Sequence, residues 1–303
     1  MAKLNNVWVV ACGESIAELT CGAAKYGEKV TLVYAGDKND AVNADKAYYL
    51  GELGETQSFA AYATAVAKFV SDAAPEMVLL DSGRDGKLLA AHIAANCGTS
   101  VLTDASDVCV DEKGVTTNKL VFGGAAVKTE RSAKTSVVCV GPGVFAAEEI
   151  KPAGEVEEYL VETDARIKMV NKRRKETSSV NLASAKKIVG VGRGLPDEDA
   201  LAQCKELAAA IGAEVGCSRP ICEERNWMAR ELYIGVSGKF VQPDCYISIG
   251  ISGQIQHVVG INKSGTIIAI DKNEAAPIFK SCDYGIVGDL TKIVPALQKL
   301  IEN

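Results

Sequence analysis

Histidine is scarce in this sequence: His92 and His257 are the only two in 303 residues. Histidine-centred hydrolysis with a separate serine nucleophile and acid therefore has little support. His92 lies in KLLAAHIAANCG, a helical pattern, and reads as packed or solvated on that helix. No run reaches the ~18 apolar residues of a membrane span. The start, MAKLNNVWVVACGES, lacks a signal-peptide pattern. Both absences point to a soluble, cytoplasmic protein with no membrane span. An excess of basic charge is also missing. The net charge is −6, divided as −5 over residues 1–176 and −1 over 177–303, and nucleic-acid binding predicts the opposite sign. Ten cysteines are present without a CxxC pair; the closest are Cys217 and Cys222. With no zinc-like spacing, they read as buried, reduced thiols of a cytosolic protein, and no metal site is expected.

What is present is an ordinary globular composition, 48% hydrophobic and 24% charged, in a chain long enough for two domains of roughly 100–200 residues. Apolar runs at Val7–Ala11, Lys29–Tyr34, Ala47–Gly51, Met77–Leu80 and Ser100–Leu102 alternate with helical spacing at Ile16–Tyr26, Tyr62–Asp72 and Leu88–Asn96. That alternation predicts a parallel α/β sheet. Val108–Val110, Val115–Phe122, Ala125–Thr129 and Ser136–Val140, with short turns between them, read as hairpins added to that sheet. Asp81–Lys87, at a strand end, is read either as a ligand loop or as a turn with a capped helix start. Val156–Ile167 is expected to be an extended edge segment. Lys168–Asn181 connects to the second domain, and its basic run Lys172–Lys175 reads as a solvated face or subunit contact. The domains are expected at 1–176 and 177–303.

The second half carries the recognisable chemistry. Ile188–Val191 runs into Gly190-x-Gly192-Arg193-Gly194, followed by a helix at Asp197–Ile211. Strand, glycine turn, helix lets backbone approach a phosphate, and Arg193 adds a fixed positive charge suited to pyrophosphate. Glu214–Cys217 ends in Ser218-Arg219-Pro220. A buried arginine at a strand end is costly unless paired, so Arg219 is expected either to be held over an anionic or electron-rich group or to form an interface salt bridge. Gly235-Val236-Ser237-Gly238 is a turn with a free hydroxyl. After the strand Asp244–Gly250, Ser252 is placed to cap the next helix or to bind phosphate, with Gln256 and His257 in that helix's first turns. Thr266–Ile270 ends at Asp271, and Asp283–Leu290 precedes a last helix, Thr291–Glu302. In a parallel sheet these strand ends share one edge, so the loops form one site for a phosphate-bearing cofactor.

In this order, VGRGL (191–195), CSRP (217–220), GVSGK (235–239), GISGQIQH (250–257), APIF (276–279) and DYGIVGDL (283–290) resemble the electron-transfer flavoprotein alpha subunit. The second half matches almost continuously. The first matches in layout and in RDGKLLAAHIA and VFGGAA. The resemblance implies a two-domain α/β fold with a Rossmann-like C-terminal domain that binds FAD. The positions it implies are Arg193, Ser218, Arg219, Ile234, Gly235, Val236, Ser237, Ser252, Gly253, Gln254, Ile255, Gln256, His257, Asp271, Asp289 and Leu290. Ser237 is expected near flavin N5. His257 would donate toward the C2 carbonyl and stabilise negative charge on the reduced ring. Arg219 would raise the potential, and Asp289 would accept from the adenosine end. Two departures stand out. The family often has Asn where Asp271 stands, and an ionised carboxylate accepts but does not donate. It often has Gln where Val236 stands, which removes any amide contact.

The implied role is electron transfer rather than substrate turnover. The implied partners are an electron-transfer flavoprotein beta subunit, in a heterodimer docked by the first domain, and an acyl-CoA dehydrogenase or reductase, as in fatty acid beta-oxidation. A quinone reductase or ferredoxin is a further candidate. An NAD-dependent dehydrogenase, which requires an acid–base constellation, and a nucleotide-binding regulatory module are the alternatives.

Overall fold

A computed structural model describes residues 3–54, 57–132, 134–147, 150–167, 169–171, 181–182 and 184–302. The basic run Lys172–Lys175 and most of the expected connection at Lys168–Asn181 lie outside the described residues. The chain divides into two compact units. One comprises Met1–Val121 with Val127–Arg174, the other Phe122–Ala126 with Lys175–Asn303.

The first unit begins with β1 (Leu4–Cys12), α1 (Ser15–Tyr26), β2 (Gly27–Ala35), β3 (Lys46–Tyr49), α2 (Ala63–Ala73), β4 (Met77–Asp81), α3 (Arg84–Asn96) and β5 (Val101–Ala105). It continues with β6 (Asp107–Asp111), β7 (Gly114–Val121), β8 (Ala126–Ser132), β9 (Ser136–Val140) and β10 (Glu155–Glu158). Seven strands form one parallel sheet in the order β10-β3-β2-β1-β4-β9-β5. Alternation along β1 sends Val7, Val9 and Ala11 to Ile16, Leu19 and Ala23 of α1. Trp8 and Val10 meet Val66 and Val70 of α2 and Leu89 and Ile93 of α3 on the other face. Both faces are covered, which is why β1 reads as a continuous apolar run.

Three expectations are corrected here. The hairpins do not extend the main sheet: β6, β7 and β8 form a three-stranded sheet of their own. Ser136–Val140 is no hairpin strand; β9 lies between β4 and β5, parallel to both. All five of its residues are buried, as a strand with two covered faces requires. The edge segment expected over Val156–Ile167 is also shorter. β10 pairs with β3, and Tyr159 N–H still reaches Tyr49 O at 2.8 Å, after which the ladder stops. Lys46 holds Glu157 at 2.7 Å and Lys38 holds Glu158 at 2.6 Å, so the edge carries charge, which discourages unwanted strand addition.

The second unit contains β11 (Lys187–Val191), α4 (Glu198–Ala210), β12 (Glu214–Cys217), β13 (Cys245–Ile249), α5 (Ile255–Val258), β14 (Thr266–Asp271), β15 (Tyr284–Val287) and α6 (Leu290–Glu302). Its sheet is parallel, in the order β12-β11-β13-β14-β15. This is the five-stranded doubly wound order, with its switch point between β11 and β13. One face packs Val189, Val191, Ile249 and Ile270 against Leu201, Cys204 and Leu207 of α4 and Val294 of α6. The other packs Ile188, Tyr246, Ile267 and Ala269 against Leu182, Ile234, Ile261 and Ile278. Asp197 starts α4 by accepting from Ala200 N–H at 2.8 Å.

Candidate functional site

The loops after β11, β12, β13, β14 and β15 all leave the carboxyl edge of this sheet, because every pairing in it is parallel. The two that flank the switch point touch. Gly192 N–H donates to Ile249 O and Gly194 N–H to Gly250 O, each at 2.9 Å. A Cβ at Gly192 would stand 2.3 Å from Gly250 O, and one at Gly194 would stand 2.8 Å from Gly250 Cα. These two glycines thus permit backbone-to-backbone packing of the loops. Arg193, between them, is exposed. The loop is stapled from outside by Arg225, whose guanidinium donates to the carbonyls of Leu195 and Arg193 and lies 4.3 Å from the Trp227 ring centroid.

After β12, Ser218 N–H donates to Val191 O at 2.9 Å, and its side chain is buried without a hydrogen bond. Arg219 corrects an expectation. It is exposed, not buried, and ion-pairs with Glu223 one turn later; Arg230 approaches the same carboxylate at 3.3 Å. The strand has already ended at Cys217, and Arg219 stands at the N-cap of a single helical turn, Pro220–Glu224, so its side chain leaves the core. The next loop returns to the edge, with Ile234 N–H bonded to Cys217 O and Val236 N–H to Gln256 O. Gly235 has φ 145° and a Cβ there would meet Gln256 O at 2.6 Å, so only glycine fits. Val236 is 40% exposed, and Ser237 is exposed, its Oγ 3.5 Å from the Tyr233 hydroxyl.

After β13, Ser252 is exposed and its carbonyl accepts from Ile278 N–H at 3.0 Å. Of its two expected roles, capping the helix is not the one it takes. Gln254 occupies the N-cap, without a side-chain bond, and α5 is only four residues long. Gly253 has φ 80° and backs onto Ile278. Gln254, Ile255 and Gln256 are exposed, whereas His257 is 6% exposed. Its Nε2 lies 3.0 Å from the Tyr246 hydroxyl and its Nδ1 makes no hydrogen bond among the described residues. Burial lowers the imidazole pKa from 6.5 to about 4, with the Ile234 backbone pulling the other way. Asp271, 9% exposed, accepts from Asn273 N–H at 2.8 Å and receives Gly288 N–H on its carbonyl. Asp289 is exposed and accepts from the Thr291 hydroxyl and N–H at 2.8 and 3.0 Å, which holds its carboxyl below the usual range. One Asp289 oxygen is thereby engaged at the start of α6, next to buried Leu290.

Among the described residues of this unit, three buried polar atoms lack partners: Ser218 Oγ, Ser248 Oγ and His257 Nδ1. Gly216, Gly190 and Ser248 are in register across β12, β11 and β13, and Ser218 follows Gly216 by two residues, on the same face. Unsatisfied buried donors and acceptors are costly, so they fit a polar ligand reaching that face at the carboxyl edge. This donor set suits a flavin nucleotide. Tyr246, Ser248 and Arg225 escaped the sequence reading. The available signal was Gly190 in mid-strand, since a strand glycine often marks close approach by another group. The phenol oxygen of Tyr246 would lie 1.7 Å from a Cβ at that position.

Cavities also lie elsewhere among the described residues. One of about 370 Å³, lined by Lys205, Ala208, Glu214, Trp227 and Leu232 among others, contains none of the expected contacts. Another, about 390 Å³, belongs to the first unit, between Ser15, Glu18, Asp81, Ser82 and Pro142. There Asp81–Lys87 is a turn and a helix start: Asp81 Oδ1 accepts from Gly83 N–H at 2.6 Å, and Lys87 pairs with Asp104 at 2.6 Å. Its acidic lining does not suit a phosphate. His92 is half-buried on α3, as expected.

Comparison with known proteins gives two family matches. Residues 4–164 match the electron transfer flavoprotein domain, and residues 181–262 match the electron transfer flavoprotein FAD-binding domain. YdiR of Escherichia coli (strain K12), provisionally named an electron transfer flavoprotein subunit, is 40% identical over 311 residues, covering 98% of both chains. Protein FixB of Salmonella typhimurium (strain LT2) is 36% identical over 307 residues, again covering 98% of both. FixB of Escherichia coli O17:K52:H18 is equally similar at 36%.

Proposed function

Because this chain belongs to the electron transfer flavoprotein family, as an alpha-type subunit, we propose that its second unit holds one FAD along the carboxyl edge of the five-stranded sheet. The observation that carries this reading is the set of unpartnered buried atoms on Ser218, Ser248 and His257. Bound FAD accepts and releases electrons singly or in pairs. The chain binds it and adjusts its charge. Exposed Arg193, beside two glycines, supplies positive charge for the pyrophosphate. Ser218 supplies a hydroxyl, and neutral His257 supplies a hydrogen-bond donor that tolerates burial. Ile234–Ser237 and Ser252–Gln256 provide backbone and side-chain contacts around the ring. Asp271 and the free oxygen of Asp289 accept from the ribose or adenosine end. Arg219 places its charge near the flavin while sharing it with Glu223, which moderates its effect on potential.

In this reading the functional halves are residues 1–176 and 177–303, and the first docks a beta subunit in a heterodimer. Its net charge of −5 supports docking to a partner face of opposite charge. The redox partners are an acyl-CoA dehydrogenase or reductase, with a quinone reductase or ferredoxin as further candidates, in fatty acid beta-oxidation or a related pathway. The compartment is the cytoplasm, where the free thiols of the described residues stay reduced. The test is to titrate FAD into the flavin-free complex. Ser218→Ala and Arg193→Ala should each weaken binding about tenfold. Unchanged affinity in both variants would place the flavin elsewhere.

A further inference from the structure

Tyr246 is fully buried. Its hydroxyl has one hydrogen-bond partner among the described residues, His257 Nε2 at 3.0 Å. A buried phenol that does not donate leaves its proton unsatisfied. Were Nε2 protonated and donating to the phenol oxygen, the O–H would have no acceptor. The arrangement that satisfies both the phenol and Nε2 has the phenol donating to Nε2 and the imidazole proton on Nδ1, where it awaits an acceptor. Burial also raises the phenol pKa, so Tyr246 stays a donor. The geometry is built in at strand level. Tyr246 stands opposite Ile188, and its hydroxyl reaches along the sheet into the space above Gly190, where a Cβ would be 1.7 Å away. A larger residue at 190 would push the ring out of this position.

We propose that Tyr246 is a positioning residue that fixes the tautomer of His257, so that the imidazole offers Nδ1–H to the bound flavin as a hydrogen-bond donor. This rests on the flavin reading above, which assigns His257 to the cofactor but gives Tyr246 no part. Nδ1, buried and without a hydrogen-bond partner among the described residues, then carries the proton that an electron-rich carbonyl of the ring would accept. Loss of the phenol hydroxyl frees the imidazole to rotate or to carry its proton on Nε2.

The test uses the full chain labelled with ¹⁵N-histidine in a His92→Gln background, which leaves His257 as its only histidine. Long-range ¹H–¹⁵N correlation near neutral pH, on flavin-free protein, should show a neutral ring protonated at Nδ1. Tyr246→Phe keeps the ring over Gly190 and removes only the hydroxyl. It should abolish the single-tautomer pattern, weaken FAD binding by up to about tenfold and shift the flavin reduction potential. An Nε2-protonated His257 in the parent protein, or an unchanged pattern in Tyr246→Phe, overturns the proposal. The parent spectrum decides alone should the variant fail to fold. A fixed Nδ1 tautomer in protein that takes up no FAD would sink the flavin reading and leave the tyrosine–histidine pair standing. Equal potential and affinity in both proteins would show that the pair positions nothing.

Discussion

Gly190 and Tyr246 are two halves of one packing decision: the phenol oxygen occupies the volume a side chain at 190 would need. Gly190→Ala should destabilise the protein by about 1–3 kcal/mol through overpacking. Combining it with Tyr246→Phe should recover part of that loss, because the nearest clash is with the hydroxyl. A double-mutant cycle in denaturant reads the coupling. His257 makes a second residue-scale prediction. Unfolded, its imidazole titrates near 6.5; folded, near 4. Between those values the unfolded chain binds a proton that the folded chain does not. Stability of the flavin-free protein should therefore fall as pH drops from about 6.5 to about 4, by on the order of 3 kcal/mol. This group costs nothing more at lower pH, and His257→Gln should flatten that part of the profile. Arg225→Ala removes two hydrogen bonds to the glycine loop and a stack on Trp227. It should cost about 1–3 kcal/mol and weaken FAD binding, as urea melts and titration would show.

At the level of elements, the strands and helices of both units were legible because their apolar periods match their burial. α1 stops at Gly27 and α2 at Ala74, whose φ of 47° precedes Pro75, as the sequence breaks imply. Pairing was less legible. Ser136–Val140 follows three hairpin strands, and only its uninterrupted burial distinguishes a central parallel strand. Sequence neighbours suggested a hairpin, whereas long-range pairing with β4 and β5 prevailed. That placement is testable. Val138→Ala, in the core at β9, should cost about 2–3 kcal/mol. Val127→Ala, 61% exposed on β8, should stay within about 0.5 kcal/mol. The candidate site was readable as strand ends with polar loops, since parallel pairing places them together. The orientation of single side chains was not. Arg219 looked buried because it follows closely on β12, whose end at Cys217 was legible, whereas the short helical turn Pro220–Glu224 that carries its side chain outward has no periodic signal; α5 looked longer because GISGQIQHVVG continues with apolar residues after its one turn.

For the whole molecule, the central claim is that the second unit is a flavin holder within an electron-carrying complex. The glycine contacts at the switch point, the unpartnered polar atoms on one sheet face and the match of residues 181–262 to the FAD-binding domain all concern that unit. The most direct measurement is a flavin count on the complex of this chain with its partner subunit, taken from the visible spectrum and by release of the cofactor on denaturation. The account predicts FAD at a minimum of one per chain, restored by adding FAD to stripped protein and bleached by a reductant. A complex that is folded, offered FAD, and still shows no flavin absorbance would contradict it.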